Sequence, residues 1–86
     1  MKIKLKVFAS IRDICGFDEN ELTVPESTTL EELVAALAAD YAELAAKKGS
    51  LLMAVNEEYS TGTTALKEND TVKVGDVVFV LKILDS

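Results

Sequence analysis

Apolar and polar residues alternate at the start of the chain, where Ile3, Leu5 and Val7 are separated by lysines. Because successive side chains on a strand point to opposite faces, residues 2–9 are predicted to form a strand with one buried face. Phe8 falls on the lysine face of this strand. It either covers the sheet edge or packs under a loop, or it is an exposed aromatic anchor for a partner protein.

A short helical turn and a second strand are predicted next. Residues 10–16 are typical of a turn that ends at Gly16, because glycine takes a positive φ without a steric cost. Residues 19–24 favour a strand that returns alongside the first. Pro25 ends this strand, since proline has no N–H to donate to a neighbouring strand.

The clearest helix of the chain follows. Thr28 and Glu31 have the spacing of a capping box, so the sequence predicts that the helix begins there. Apolar residues then recur at i, i+3, i+4 and i+7, which is one stripe on an amphipathic helix; they are Leu30, Leu33, Val34 and Leu37. Residues 41–48 are predicted to continue as a second helical stretch.

The last third of the chain is predicted to return to strands. Residues 51–56 favour a third strand, and residues 57–69 a polar, irregular loop. Residues 70–74 alternate, and Gly75-Asp76 is expected to form a turn or a bulge. The almost continuously apolar residues 77–84 are then predicted to be a central strand, parallel to the first.

This order of elements predicts an α+β fold in which one main helix crosses one face of a mixed sheet of four or five strands. That is the ubiquitin-like β-grasp arrangement. A chain of 86 residues has room for one hydrophobic core. We therefore expect residues 1–86 to form a single β-grasp domain.

Composition narrows the possible functions. The formal net charge of −6 opposes binding to nucleic acid and to anionic membranes, and would suit a basic groove on a protein partner. No run approaches the ~20 apolar residues of a membrane span, so we expect a cytoplasmic protein. The absence of histidine and the single cysteine, Cys15, predict no metal site, no cofactor and no catalysis by the chain's own side chains.

Several short motifs now become informative together, in this order and spacing. They are Phe8-Ala9 with Arg12-Asp13 and Gly16, Thr23-Val24-Pro25 with Thr29-Leu30, Ala54-Val55-Asn56-Glu57-Glu58-Tyr59, and a late Gly-Asp before an apolar strand. Over nearly the whole chain, the sequence resembles the ubiquitin-like sulfur carriers that include the small subunit of molybdopterin synthase and the thiamine sulfur carrier.

The resemblance implies both a reaction and partners. In this family an E1-like enzyme adenylates the carboxylate of a C-terminal Gly-Gly, sulfur replaces one oxygen, and the tail delivers it to a pterin precursor in the large subunit. The resemblance implies that Phe8, the last strand and the tail bind that large subunit. The predicted partner-binding residues are Phe8, Leu81, Ile83, Leu84, Asp85 and Ser86.

The present sequence contains no Gly-Gly pair and ends in Asp85-Ser86. Two functions are therefore expected as alternatives. The first is a molybdopterin synthase small-subunit-like protein, at most a non-catalytic sulfur-carrier subunit of a sulfurtransferase complex. The second is a non-catalytic β-grasp module for protein binding or regulation, which has lost sulfur carriage.

The family's late Gly-Asp can be aligned in two registers. In the first, Gly75-Asp76 is that pair and residues 82–86 are a short tail. In the second, residues 66–72 match the family's Leu-x-x-Gly-Asp-x-Val, with Asn69 in place of the glycine. The first register gives the better strand, and we favour it slightly from the sequence.

Overall fold

Eight secondary-structure elements are present in the computed structural model, which describes residues 1–47, 49 and 51–76. The five strands are β1 Lys2–Val7, β2 Glu19–Thr23, β3 Leu51–Val55, β4 Glu58–Tyr59 and β5 Thr71–Asp76. The three helices are α1 Ala9–Cys15, α2 Leu30–Asp40 and α3 Ala42–Ala46.

The strands form one mixed sheet in the order β2-β1-β5-β3-β4. Strands β1 and β5 run parallel at its centre, and the other three pairs are antiparallel. A parallel pair needs a long crossover connection, and α2 lies within the chain segment that joins β1 to β5. This arrangement confirms the predicted α+β, β-grasp fold with one main helix.

The hydrophobic core lies between the helices and one face of the sheet. Alternation along β1 and β5 turns their apolar side chains toward the helices. The core residues from the sheet and the helices include Ile3, Leu5, Val7, Ile11, Leu30, Leu33, Leu37, Leu44, Val72 and Val74. The predicted stripe on the main helix is therefore confirmed as its buried face.

The opposite face of the sheet, here called the outer face, carries the other set of side chains. Cross-strand register places Lys6 beside Lys73, Lys73 opposite Ala54, and Ala54 opposite Tyr59. The outer face is thus lined by long polar side chains on β1 and by less polar ones on β3 and β4.

The start of α2 differs by one residue from the prediction. Thr29 is the N-cap, its hydroxyl accepts a hydrogen bond from the Glu32 backbone N–H, and the Glu32 carboxylate accepts from the Thr29 N–H at 2.9 Å. The Thr28 hydroxyl instead donates to the Pro25 carbonyl at 2.7 Å. The predicted Thr28–Glu31 box was therefore wrong, because Pro25 holds Thr28 in the preceding turn.

The segment predicted as an irregular loop has defined contacts. It contains β4, and its Thr64 and Gly62 carbonyls accept hydrogen bonds from the first two N–H groups of α2. Leu66, which is buried, pairs its backbone N–H with the Thr28 carbonyl at 2.8 Å. The loop thereby satisfies the helix N-terminus and anchors α2 to the sheet.

The C-terminal part of the prediction needs one correction. Gly75 and Asp76 do not form a turn, since both lie in β5 and pair with Leu52 and Leu51 of β3. The central strand parallel to β1 is therefore β5. The strand predicted over residues 77–84 lies outside the described residues.

Candidate protein-docking surface

Phe8 lies between the end of β1 and the start of α1. Its extended backbone (φ −129°, ψ 155°) makes it the N-cap of α1, and its N–H donates to the Val74 carbonyl at 3.0 Å. This bond continues the β1–β5 pairing by one residue. Because Val7 faces the core, alternation directs Phe8 to the outer face, where the side chain is half-buried.

Apolar side chains on β3 and β4 extend this surface across the sheet. Leu52 pairs with Gly75 and is directed to the outer face by the same alternation, and Ala54 pairs with Tyr59 on β4. Phe8, Leu52 and Tyr59 are together called the outer apolar patch, and Ala54 between them is fully buried. The two aromatic residues of the patch lie on strands separated by three strand spacings, about 14 Å.

Tyr59 is the part of the patch most accessible to a partner. Its relative exposure is 45%, and among residues 1–47, 49 and 51–76 no other large hydrophobic residue is classed as exposed. Aromatic side chains of this kind frequently provide a large share of the binding energy at protein interfaces. Tyr59 is therefore the strongest anchor candidate.

A buried lysine lies between the two aromatic ends of the patch. Lys73, on the central strand β5, is 1% exposed, and its ammonium group forms an ion pair with the Glu57 carboxylate. A buried charge requires such a partner to offset its desolvation. The Glu57 side chain itself is 54% exposed, so the pair connects the sheet to the accessible surface.

The β3–β4 turn beside this pair is fixed by a polar network. Asn56 donates from its side-chain amide to Asp70 at 2.8 Å and accepts from the Thr71 N–H at 2.9 Å. Asp70 also accepts from the Lys67 N–H at 2.8 Å. These bonds attach the turn to the loop that leads into β5.

The other end of the outer face carries alternating charges. Lys4 and Lys6 lie 3.9 and 3.8 Å from the Glu19 carboxylate of β2, and Lys2 lies 3.9 Å from Glu21. Exposed pairs of this kind contribute little to stability. They make this end of the outer face polar and mixed in charge, in contrast to the apolar patch.

Side-chain chemistry for catalysis is sparse in the part of the chain that the structure describes. No group of three or more His, Cys, Asp or Glu residues there could hold a metal ion. Cys15 is buried, and burial raises the pKa of its thiol, which disfavours the nucleophilic thiolate.

The loop before β5 decides between the two alignments of the family's Gly-Asp pair. Asn69 has φ 68°, in the left-handed region that glycine adopts most readily and asparagine next. Leu66 is buried three residues earlier, and Val72 is buried in the central strand. The second register fits this loop better than the first, which was favoured from the sequence, because Gly75 lies inside β5.

Of the predicted binding residues, the structure describes only Phe8. Phe8 lies on the outer face as its alternation indicated. Leu81, Ile83, Leu84, Asp85 and Ser86 lie outside the described residues, and their role stays a prediction. Leu52 and Tyr59 were not among the predicted residues, although the alternation of residues 51–55 could have assigned Leu52 to the outer face.

No helix among the described residues has the length and apolar character needed to cross a membrane.

Comparisons with known proteins agree with the fold. The ThiS family profile matches residues 5–78. The molybdopterin synthase sulfur carrier subunit of Arabidopsis thaliana is 24% identical over 74 residues, which cover 86% of this chain and 77% of that protein.

Solved structures with the same fold include three informative examples. The protein named "Putative molybdopterin converting factor, subunit 1" from Pyrococcus furiosus has a TM-score of 0.75 and 26% identity, covering 88% of this chain and 97% of its own. SAMP1 from Haloferax volcanii has a TM-score of 0.76 and 17% identity, with coverage of 88% and 94%. A complex of subunits 1 and 2 of the Helicobacter pylori molybdopterin-converting factor matches with a TM-score of 0.63 and 19% identity, covering 88% and 93%.

Proposed function

Because this chain belongs to the ThiS family, we propose that it is a small subunit of the molybdopterin synthase type, a sulfur-carrier subunit of molybdenum cofactor biosynthesis. The observation that carries the proposal is the match to the Arabidopsis sulfur carrier subunit, which spans 86% of this chain. The fold and the outer apolar patch support it, since a carrier subunit must dock on the enzyme to which it delivers its cargo.

The proposed partner is a large molybdopterin synthase subunit. The Helicobacter pylori structure holds subunits 1 and 2 of a molybdopterin-converting factor together, and its β-grasp fold supports the same kind of assembly here. We place the docking surface at the outer apolar patch, with Phe8 at one end and Tyr59 at the other. Leu81, Ile83, Leu84, Asp85 and Ser86 are proposed to extend this contact, and the cytoplasm is the proposed compartment.

A binding measurement tests the docking role. Phe8→Glu should weaken affinity for a large subunit by ~2 kcal/mol, the cost typical of an aromatic anchor. Ala35→Glu is the matched control, because it adds the same charge at an exposed position of α2, on the helix side of the sheet. The affinity of each variant is measured by calorimetric titration. Equal affinities would contradict docking through Phe8. Loss of cooperative unfolding in Phe8→Glu would also contradict it.

Sulfur carriage needs its own experiment. The four glycines of this chain are all separated in sequence, which favours the alternative of a β-grasp module that binds or regulates a partner without carrying sulfur. The test is the intact mass after incubation with an E1-like adenylating enzyme, ATP and a sulfur donor. Replacement of one carboxylate oxygen by sulfur would establish carriage. An unchanged mass, in an assay where a Gly-Gly carrier reacts, would establish the binding module.

A further inference from the structure

The turn between β3 and β4 is strained at one residue. Asn56 and Glu57 both have positive φ, 51° and 72°. Two-residue hairpin turns with this geometry favour asparagine followed by glycine, because an L-residue with a longer side chain is disfavoured in the left-handed region. Asn56 suits its position, whereas Glu57 stands where glycine would be preferred. Something in the fold must hold Glu57 in this conformation.

The Asn56 network anchors the first residue of the turn, and Lys73 restrains the second. Its ammonium group, on a side chain only 1% exposed, forms an ion pair with the Glu57 carboxylate. Lys73 lies on the central strand, where pairing to both β1 and β3 fixes its backbone. The buried cation therefore offers an immobile partner, and Glu57 reaches it from the left-handed conformation that the turn adopts.

The conformation of the β3–β4 turn determines where Tyr59 lies. Strand β4 has two residues and only two pairs with β3, Ala54 with Tyr59 and Val55 with Glu58. So short a strand contributes little pairing of its own. The Ser60 N–H also donates to the Met53 carbonyl at 3.1 Å, and the turn two residues before Tyr59 sets the direction in which the strand leaves β3.

We propose that Lys73 is a positioning residue, which acts through Glu57 to hold the β3–β4 hairpin in the conformation that presents Tyr59 to the large subunit. This inference rests on the proposed docking function. It assigns the buried lysine on the outer face a role in partner recognition rather than in catalysis. It also explains why a residue costly to bury occupies the centre of an apolar patch.

Three variants test the positioning role. Lys73→Met removes the charge and keeps an apolar chain of similar length, so Glu57 should leave the left-handed conformation and Tyr59 should lose its place. The double variant Lys73→Met/Glu57→Gly should restore the hairpin, because Asn-Gly is the favoured sequence for this turn and no unpaired buried charge remains. Glu57→Gln, at the more exposed partner, should reproduce Lys73→Met if that variant fails to fold.

The first readout is the nuclear Overhauser contact between the Tyr59 ring and the Ala54 methyl group, which lie directly opposite each other. The second is affinity for the large subunit. Lys73→Met should lose the contact and bind about tenfold more weakly, which corresponds to ~1.4 kcal/mol. The double variant should recover both.

A folded Lys73→Met variant with the wild-type contact and affinity would overturn the inference. So would a double variant as weak as Lys73→Met alone. The two proposals fail in distinguishable ways, because the ring-to-methyl contact is measured without a partner. If wild-type protein shows the contact but does not bind the large subunit, the docking function fails and the presentation of Tyr59 to that partner fails with it.

Discussion

The capping box at Thr29 and Glu32 should be energetically coupled, whereas the pair one residue earlier should not. The Thr29 hydroxyl lies 3.1 Å from the Glu32 carboxylate and accepts from the Glu32 N–H at 3.3 Å. Loss of an N-cap threonine costs ~1 kcal/mol, within a range of about 0.5–2. One exposed, charge-assisted bond joins the two side chains directly, so their coupling energy should be ~0.5 to 1 kcal/mol.

Urea unfolding of a double-mutant cycle measures this coupling. The cycle consists of wild type, Thr29→Ala, Glu32→Ala and the double variant. Their unfolding is monitored by fluorescence or circular dichroism. The matched control is the same cycle at Thr28 and Glu31, where the Thr28 hydroxyl is bonded to Pro25 instead. Its coupling should be below ~0.3 kcal/mol. A larger coupling in the control cycle would refute the assignment of Thr29 as the N-cap.

Three further predictions concern the core, one glycine and the cysteine. Leu33→Ala should lower the free energy of unfolding by ~2 to 5 kcal/mol, because Leu33 is buried mid-stripe, and an unchanged midpoint in urea would contradict that packing. Gly62→Ala should cost ~1 to 3 kcal/mol in the same assay, since its new Cβ would lie 2.9 Å from Glu31 Cβ, whereas Gly49→Ala meets nothing within 4 Å and should be neutral. Burial raises the pKa of Cys15, so wild type should lose stability relative to Cys15→Ala as pH rises through and above 9.0, the ordinary thiol value; parallel pH profiles of unfolding would contradict this.

Elements that bury a regular stripe were predictable from the sequence. The alternation of β1 and the i, i+3, i+4, i+7 spacing of α2 each report one buried face, and both faces meet in the observed core. Gly16 was also correctly assigned as a helix end, with φ 79° and its N–H bonded to the Arg12 carbonyl. In these places local pattern and tertiary packing require the same residues, so the sequence signal is strong.

No periodic pattern in the sequence indicated strand β4 or the position of Tyr59. Two residues are too few to show a period of two, and Glu58 and Tyr59 are both exposed. The Asn56-Glu57 turn also lacks the glycine that usually marks a hairpin. The partner of Glu57 in this turn is Lys73, sixteen residues away in sequence. A contact of that kind cannot be read from local pattern, and so the proposed role of Tyr59 could be inferred only from the folded chain.

The register of the last strand shows how a rare conformation can decide between sequence alignments. An apolar run after Gly75-Asp76 made the first alignment attractive, because glycine is the usual residue of a turn. The turn lies instead at Asn69, where φ is 68° and the N–H donates to the Lys2 carbonyl at 2.7 Å. Asparagine tolerates the left-handed region better than most residues, so it can stand in for the family glycine at modest cost. Asp70 then follows at the entrance of β5, and the central strand begins six residues earlier than the glycine pattern suggested. The same shift brings Lys73 into register with Ala54 and Tyr59, and the proposed docking surface depends on that register.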